Sequence, residues 1–136
     1  MLKTKSFKIY SWVVVIILLS IVLAGCSNTR TDVNKMSVTV TIATVQEVLL
    51  SEIISINEGS TADKAIVAAC QSKKLAYTLK DGMFDYFGTI ASTQTDGWLF
   101  YINGELADIG AAQYIIKAGD ALEFKYENYD DAFTLY

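Results

Sequence analysis

The chain has 136 residues, with 11 basic and 15 acidic side chains, no histidine and a formal net charge of -4 at pH 7. An acidic chain lacks the cationic footprint that nucleic acid demands, so no nucleic-acid partner is expected. Without histidine, the Ser/His and Cys/His nucleophile pairs are impossible, and the reading that follows is of a protein that binds and is not an enzyme.

The N-terminus opens with Lys3, Lys5 and Lys8, and an apolar run from Ile9 to Val22 follows, broken only by Ser11 and Ser20. It ends in Leu23-Ala24-Gly25-Cys26. A basic start, an apolar stretch and a small-residue cleavage site together form a secretory signal. The closing four residues resemble the bacterial lipobox. That resemblance implies acylation of the Cys26 thiol, removal of residues 1–25, and a mature protein held by its lipid on the extracytoplasmic face of the cell membrane. An ordinary signal peptide and a short membrane anchor with a chance cysteine are the alternatives. The 17 residues from Ile9 to Gly25 lie at the lower limit for spanning a bilayer. Loss of the signal leaves 111 of the 136 residues, with 8 basic against 15 acidic side chains, a charge of about -7. That is one domain. It has no polybasic patch, so two or three acyl chains would do the anchoring.

Residues 26–35 read as a polar tether, able to reach about 30 Å when extended. The domain is expected over 36–136. Met36, Val38, Val40 and Ile42 alternate with Ser37, Thr39 and Thr41, the period of a half-buried strand. Val45 to Ile56 forms a second strand whose alternation is broken at Val48-Leu49-Leu50, and Asn57-Glu58-Gly59 supplies a turn. A helix is predicted over 61–72, with Ser60 or Thr61 as its cap and Asp63 in the first turn. Ala62, Ala65, Ile66, Ala69 and Cys70 make a narrow stripe of small residues that would let it lie close on a sheet. Cys70 on that stripe reads as a small hydrophobe without a disulfide partner. Lys73 and Lys74 close the helix.

The second half is strand and turn. Tyr77 to Leu79 is extended, Asp81-Gly82 turns, and Asp85 to Ser92 is expected to be one strand containing Gly88. After a polar loop over 93–97, Trp98, Phe100 and Ile102 alternate with Leu99 and Tyr101 in a strand apolar on both sides. Asn103-Gly104 is a strong hairpin signal. Leu122, Phe124 and Tyr126 alternate with charged residues in a last strand, and Asp130-Asp131 reads as part of a solvated tail. The expected fold class is α+β: a β-grasp-like mixed sheet crossed by one helix and preceded by the cleaved signal.

The segment Asp96-Gly97-Trp98-Leu99-Phe100-Tyr101-Ile102-Asn103-Gly104-Glu105 resembles the bacterial transcobalamin-like C-terminal domains, a domain-of-unknown-function family. Gly110, Tyr114, Gly119-Asp120 and the strand Leu122 to Tyr126 keep the family's spacing, as does the entry Gly59-Ser60-Thr61-Ala62 to the helix. The resemblance covers about residues 36–128. It implies the β-grasp fold of the smaller domain of transcobalamin and intrinsic factor, which caps cobalamin against a large helical domain. No such helical domain is among these residues, so cobalamin comes by analogy of fold.

No cofactor and no metal are expected. One lipidated and one lone cysteine do not make a zinc site, and no loop carries the oxygen spacing of a calcium site. Two functions of different class are open. In the first, aromatic residues meet a small amphipathic ligand, foremost a corrinoid: Trp98, Tyr101 and Tyr114, with Phe84, Tyr86 and Phe87 before them. The same rings could instead fill the core of a small domain. In the second, the domain docks or presents another protein of the cell envelope.

Overall fold

The computed structural model describes residues 34–134, so Cys26, the signal and most of the tether lie outside the described residues. The strands are β1 (Lys35–Thr44), β2 (Val48–Asn57), β3 (Tyr77–Lys80), β4 (Met83–Phe87), β5 (Ile90–Ala91), β6 (Asp96–Ile102), β7 (Glu105–Leu106) and β8 (Ala121–Asn128). The helices are α1 (Ala62–Lys73) and α2 (Tyr129–Phe133). Among the described residues the fold is mixed α+β, mostly sheet, with two helices where the sequence suggests one. Among the described residues no helix is long and apolar enough to cross a membrane.

Five strands form a mixed sheet in the order β2-β1-β8-β6-β7. β1 pairs antiparallel with β2 and parallel with β8, and β8 pairs antiparallel with β6. The period-two pattern of β1 decides which face is inside. Val38, Val40 and Ile42 are buried, in line across the sheet with Leu122 and Phe124 of β8. Two elements cover this face. α1 packs against β1 and β2. The small antiparallel sheet β3-β4-β5 brings Phe84 and Phe87 against Phe124 and Trp98. Ala62, Ala65, Ile66, Ala69 and Cys70 are all fully buried, as the small-residue stripe requires. Burial pushes the Cys70 thiol up to about 11, so it stays protonated and inert.

The start of α1 is built differently from the expected cap. Thr61 is the N-cap, yet its hydroxyl donates to the Asp63 carboxylate and accepts no helical N–H. The N–H groups of Ala62 and Asp63 go instead to the carbonyls of Tyr114 and Ala111, at 2.9 and 3.1 Å. The loop before β8 therefore completes the helix end that a side chain would otherwise satisfy.

Three boundaries differ from the sequence reading, each for a local reason. The broken alternation at Val48-Leu49-Leu50 is a bulge: Ala43 pairs with Val48 but Ile42 with Leu50, so Leu49 is the extra residue. The expected single strand from Asp85 to Ser92 is split at Gly88, which takes φ 65° and turns β4 into β5. Asp130 and Asp131 lie in α2, where the Asn128 side chain accepts the Asp130 N–H at 3.0 Å. α2 seats itself through Tyr129, whose ring lies so close over Gly97 that any side chain there would collide with it. The Asn103-Gly104 turn forms as expected, with φ of 53° and 86° and Ile102 paired to Glu105.

Candidate functional site

The aromatic residues singled out from the sequence do not form one surface. Trp98 and Phe87 meet edge to face at 5.0 Å, and both are buried. Phe84 stacks on Phe87 and touches Phe124, each at 5.2 Å. The Trp98 indole N–H donates to the Ile90 carbonyl at 3.0 Å, so its polar edge is satisfied within the fold. Tyr101 is one position out of phase with Trp98 and Phe100 and so faces the other side of the sheet. There its hydroxyl donates to Glu127 and Lys125 Nζ sits 4.4 Å from its ring centre. Tyr86 is half-buried on β4, opposite Thr78 and Ala91.

Tyr114 belongs to a polar knot around Asp120, the one buried charged side chain among the described residues. The carboxylate accepts the Lys117 N–H at 2.8 Å, the Tyr114 hydroxyl at 2.9 Å and the Asn103 amide at 3.0 Å. Asn103 returns an acceptor to the Ala121 N–H at 2.9 Å. The knot thereby locks the β6–β7 hairpin to the loop entering β8. Burial alone would raise the Asp120 pKa, but the three donors and the nearby Lys117 charge outweigh it and hold the carboxyl below its ordinary value. Burial, then the Asp120 bond and charge, push the Tyr114 phenol up.

A carboxyl lowered by folding adds stability that is fully present above its unfolded pKa, near 4, and is lost as pH falls through the folded value. Asp120→Asn should therefore cost about 1–3 kcal/mol at neutral pH. Urea melts of the two proteins should converge as the pH drops below about 4. A gap independent of pH would mean that the carboxylate charge plays no part.

A hollow lies elsewhere, at the end of the main sheet. It is an open cleft of about 420 Å³ lined by residues from the β1–β2 turn, Ile90, Asp96, the end of β8 and α2. A second hollow of about 300 Å³ shares Thr44, Val45, Tyr126 and Glu127 with it. Val45, 88% exposed, stands at the turn common to both. The turn is braced by the Thr44 hydroxyl, which accepts the N–H of Glu47 at 3.0 Å and of Gln46 at 3.2 Å. Asp96 is oriented by Asn128, its partner across the ladder, at 3.2 Å. Tyr126 packs edge to face on Trp98 at 5.2 Å and donates to the Ala91 carbonyl at 3.2 Å. Trp98 is thus the support behind the cleft's aromatic wall. The lining is amphipathic: Val45, Ile90 and Tyr126 are apolar or aromatic, while Glu47, Asp96, Glu127 and Asp131 accept hydrogen bonds. No group of three or more His, Cys, Asp or Glu side chains among the described residues could hold a metal ion.

The sequence reading did not single out the cleft residues. The β1–β2 turn contributes four of them, the end of β8 three, and Ile90, Asp96 and Asp131 one each, and apart from Asp96 these positions carry no local signature. The other legible hint was the Tyr126 position in the final alternating strand.

Comparison with known proteins gives one family and a likeness of fold. The model of a family described as a domain of unknown function, DUF4430, matches residues 59–128, more than half of the chain. Among solved structures the chain is similar to haptocorrin in complex with Cbi (cobinamide), with a TM-score of 0.63 at 15% identity, covering 76% of this chain and 27% of that one. It spans about a quarter of haptocorrin's length. A candidate metal-binding protein from Ruminococcus gnavus ATCC 29149 overlaps it with a TM-score of 0.47 at 13% identity, over 68% of this chain and 97% of that one. No curated protein matches the chain in sequence.

Proposed function

Because the chain belongs to the DUF4430 family of domains of unknown function, we propose that it is a lipid-anchored, extracytoplasmic β-grasp module that binds a small amphipathic molecule and does not turn it over, with a corrinoid as the foremost candidate. The observation that carries this reading is the amphipathic cleft at the sheet end. At about 420 Å³ it falls in the range of small-molecule sites, with Val45, Ile90 and Tyr126 set among several acceptors. The acceptors Asp96, Glu127 and Asn128 suit a ligand that offers N–H donors beside an apolar body. A corrinoid has that form, with amide side chains around a macrocycle. The shared fold with haptocorrin, itself crystallised with Cbi, supports the choice.

The cleft is open, so it supplies one wall of a site and affinity should be modest. Differential scanning fluorimetry of the full chain against cobinamide, cobalamin and an unrelated amphipath tests the reading. At a ligand concentration a hundredfold above Kd, stabilisation is about 2.7 kcal/mol, a shift of several degrees. Tyr126→Ala and Asp96→Ala should each reduce the shift. Equal shifts with the unrelated amphipath would remove the corrinoid as the ligand.

The anchor rests on Leu23-Ala24-Gly25-Cys26. Cys26→Ala should abolish incorporation of labelled fatty acid in cells and leave the protein as an uncleaved precursor or in released form. Wild-type protein with an intact N-terminus and no acyl mass by mass spectrometry would end that part of the proposal.

A further inference from the structure

β2 is an edge of the five-stranded sheet and runs for ten residues. The direction of its backbone groups follows from β1. The Thr39 N–H donates to the Asp120 carbonyl and the Ser37 carbonyl accepts from the Gly119 N–H, both at 2.9 Å, so the odd residues of β1 serve the β8 side. The even residues Met36, Val38 and Val40 serve β2, through Ile56, Ile54 and Glu52. Alternation then aims the N–H and C=O groups of Ser51, Ile53 and Ser55 out of the sheet. Their side chains share the face opposite α1, where Ile53 is 73% exposed between two serines. Edge strands are normally guarded by lysine, proline, a mid-strand bulge or a cover. β2 has neither lysine nor proline, and its bulge lies at Leu49, near one end. Its single charge, Glu52, is neutralised by Lys73 at 2.7 Å.

From this geometry we propose that β2 is a self-association edge, at which two copies of the chain pair β2 with β2 antiparallel about a two-fold axis through Ile53. The occupant is a second copy because the strand is complementary to itself about that residue. Ser51 falls opposite Ser55 of the second copy, Ile53 opposite its own mate, and Glu52 opposite the apolar Ile54, so no like charges are set directly against each other. The outward N–H and C=O groups of all three residues are used, and the exposed isoleucine covers itself. The contact is isologous and closes at two copies. It is independent of the ligand reading, since no residue of β2 lines the cleft.

Sedimentation of the full chain in nonionic detergent is the test, with three variants. The wild type should show twice the protomer protein mass. Ile53→Lys and Ile53→Pro should each halve it at unchanged melting temperature, since proline removes only an outward N–H and leaves the β1–β2 ladder intact. With oxidised glutathione added as the electron acceptor, Ile53→Cys should form an intersubunit disulfide, because facing residues of a hydrogen-bonded pair lie about 5.5 Å apart at Cα. Thr39→Cys, one strand further in, should cross-link no more than the wild type. A monomeric wild type overturns the proposal. So does a dimer that survives both Ile53→Lys and Ile53→Pro, or Ile53→Cys cross-linking no faster than Thr39→Cys.

Discussion

Ala69→Glu should unfold the domain or bring it to the edge of unfolding. Ala69 is fully buried on the face of α1 that lies on the sheet, amid Ile66, Cys70 and the apolar residues of β1 and β2. A carboxylate at that position would lose its water, the cation one turn on, Lys73, is already paired with Glu52 at 2.7 Å, and an uncompensated buried charge costs about 3–5 kcal/mol. The longer side chain adds overpacking of about 1–3 kcal/mol, because the helix sits close only while its stripe stays small. Together these approach the whole stability of a typical domain, about 5–15 kcal/mol. Urea denaturation followed by circular dichroism measures the effect. A melt like that of the wild type would show that this face of α1 does not meet the sheet.

Phe87→Ala should be nearly as damaging, for a different reason. Phe87 is fully buried where the small sheet meets the large one, with Phe84, Trp98 and Phe124 at ring distances of 5.0–5.2 Å. Truncation leaves a cavity among rigid rings that cannot collapse into it, a cost of about 3–5 kcal/mol. It should also release Trp98, the tryptophan of the described residues, into a less ordered setting, visible as a change in its fluorescence. Met83→Ala on the same strand is the internal control. With Met83 70% exposed, that change should stay within about 0.5 kcal/mol. A larger loss from Met83→Ala than from Phe87→Ala would mean that β4 presents the opposite face to the core.

Much of this architecture was legible in the chain because its signals are local. The strict alternation from Met36 to Ile42, the small-residue stripe of α1 and the Asn103-Gly104 turn each depend on neighbours a few residues apart. What escaped depends on backbone detail or on distant partners. Gly88 could have been a strand residue or a turn, and only its φ of 65° decides. Thr61 has the chemistry of a cap, but carbonyls some 50 residues later in the chain arrive at the helix end first. The aromatic residues show the limit most clearly. Trp98 and Tyr101 look like one group along the sequence, although period two already sets them on opposite faces. The cleft was invisible because Thr44, Ile90, Asp96, Tyr126 and Asp131 share no motif and meet only once the sheet has formed.

The proposed ligand, a small amphipathic molecule, would sit at the sheet end, against Tyr126 and in front of Trp98. Titration of cobinamide into the folded Trp12→Phe chain, which leaves Trp98 as its tryptophan, tests this most directly, through fluorescence. The expected result is saturable quenching at one ligand per chain, weakened by Tyr126→Ala, because Tyr126 joins Trp98 to the cleft at 5.2 Å. A signal that never saturates, or none at all in a sample whose circular dichroism shows it folded, would contradict the claim and leave a domain that works through protein contacts alone.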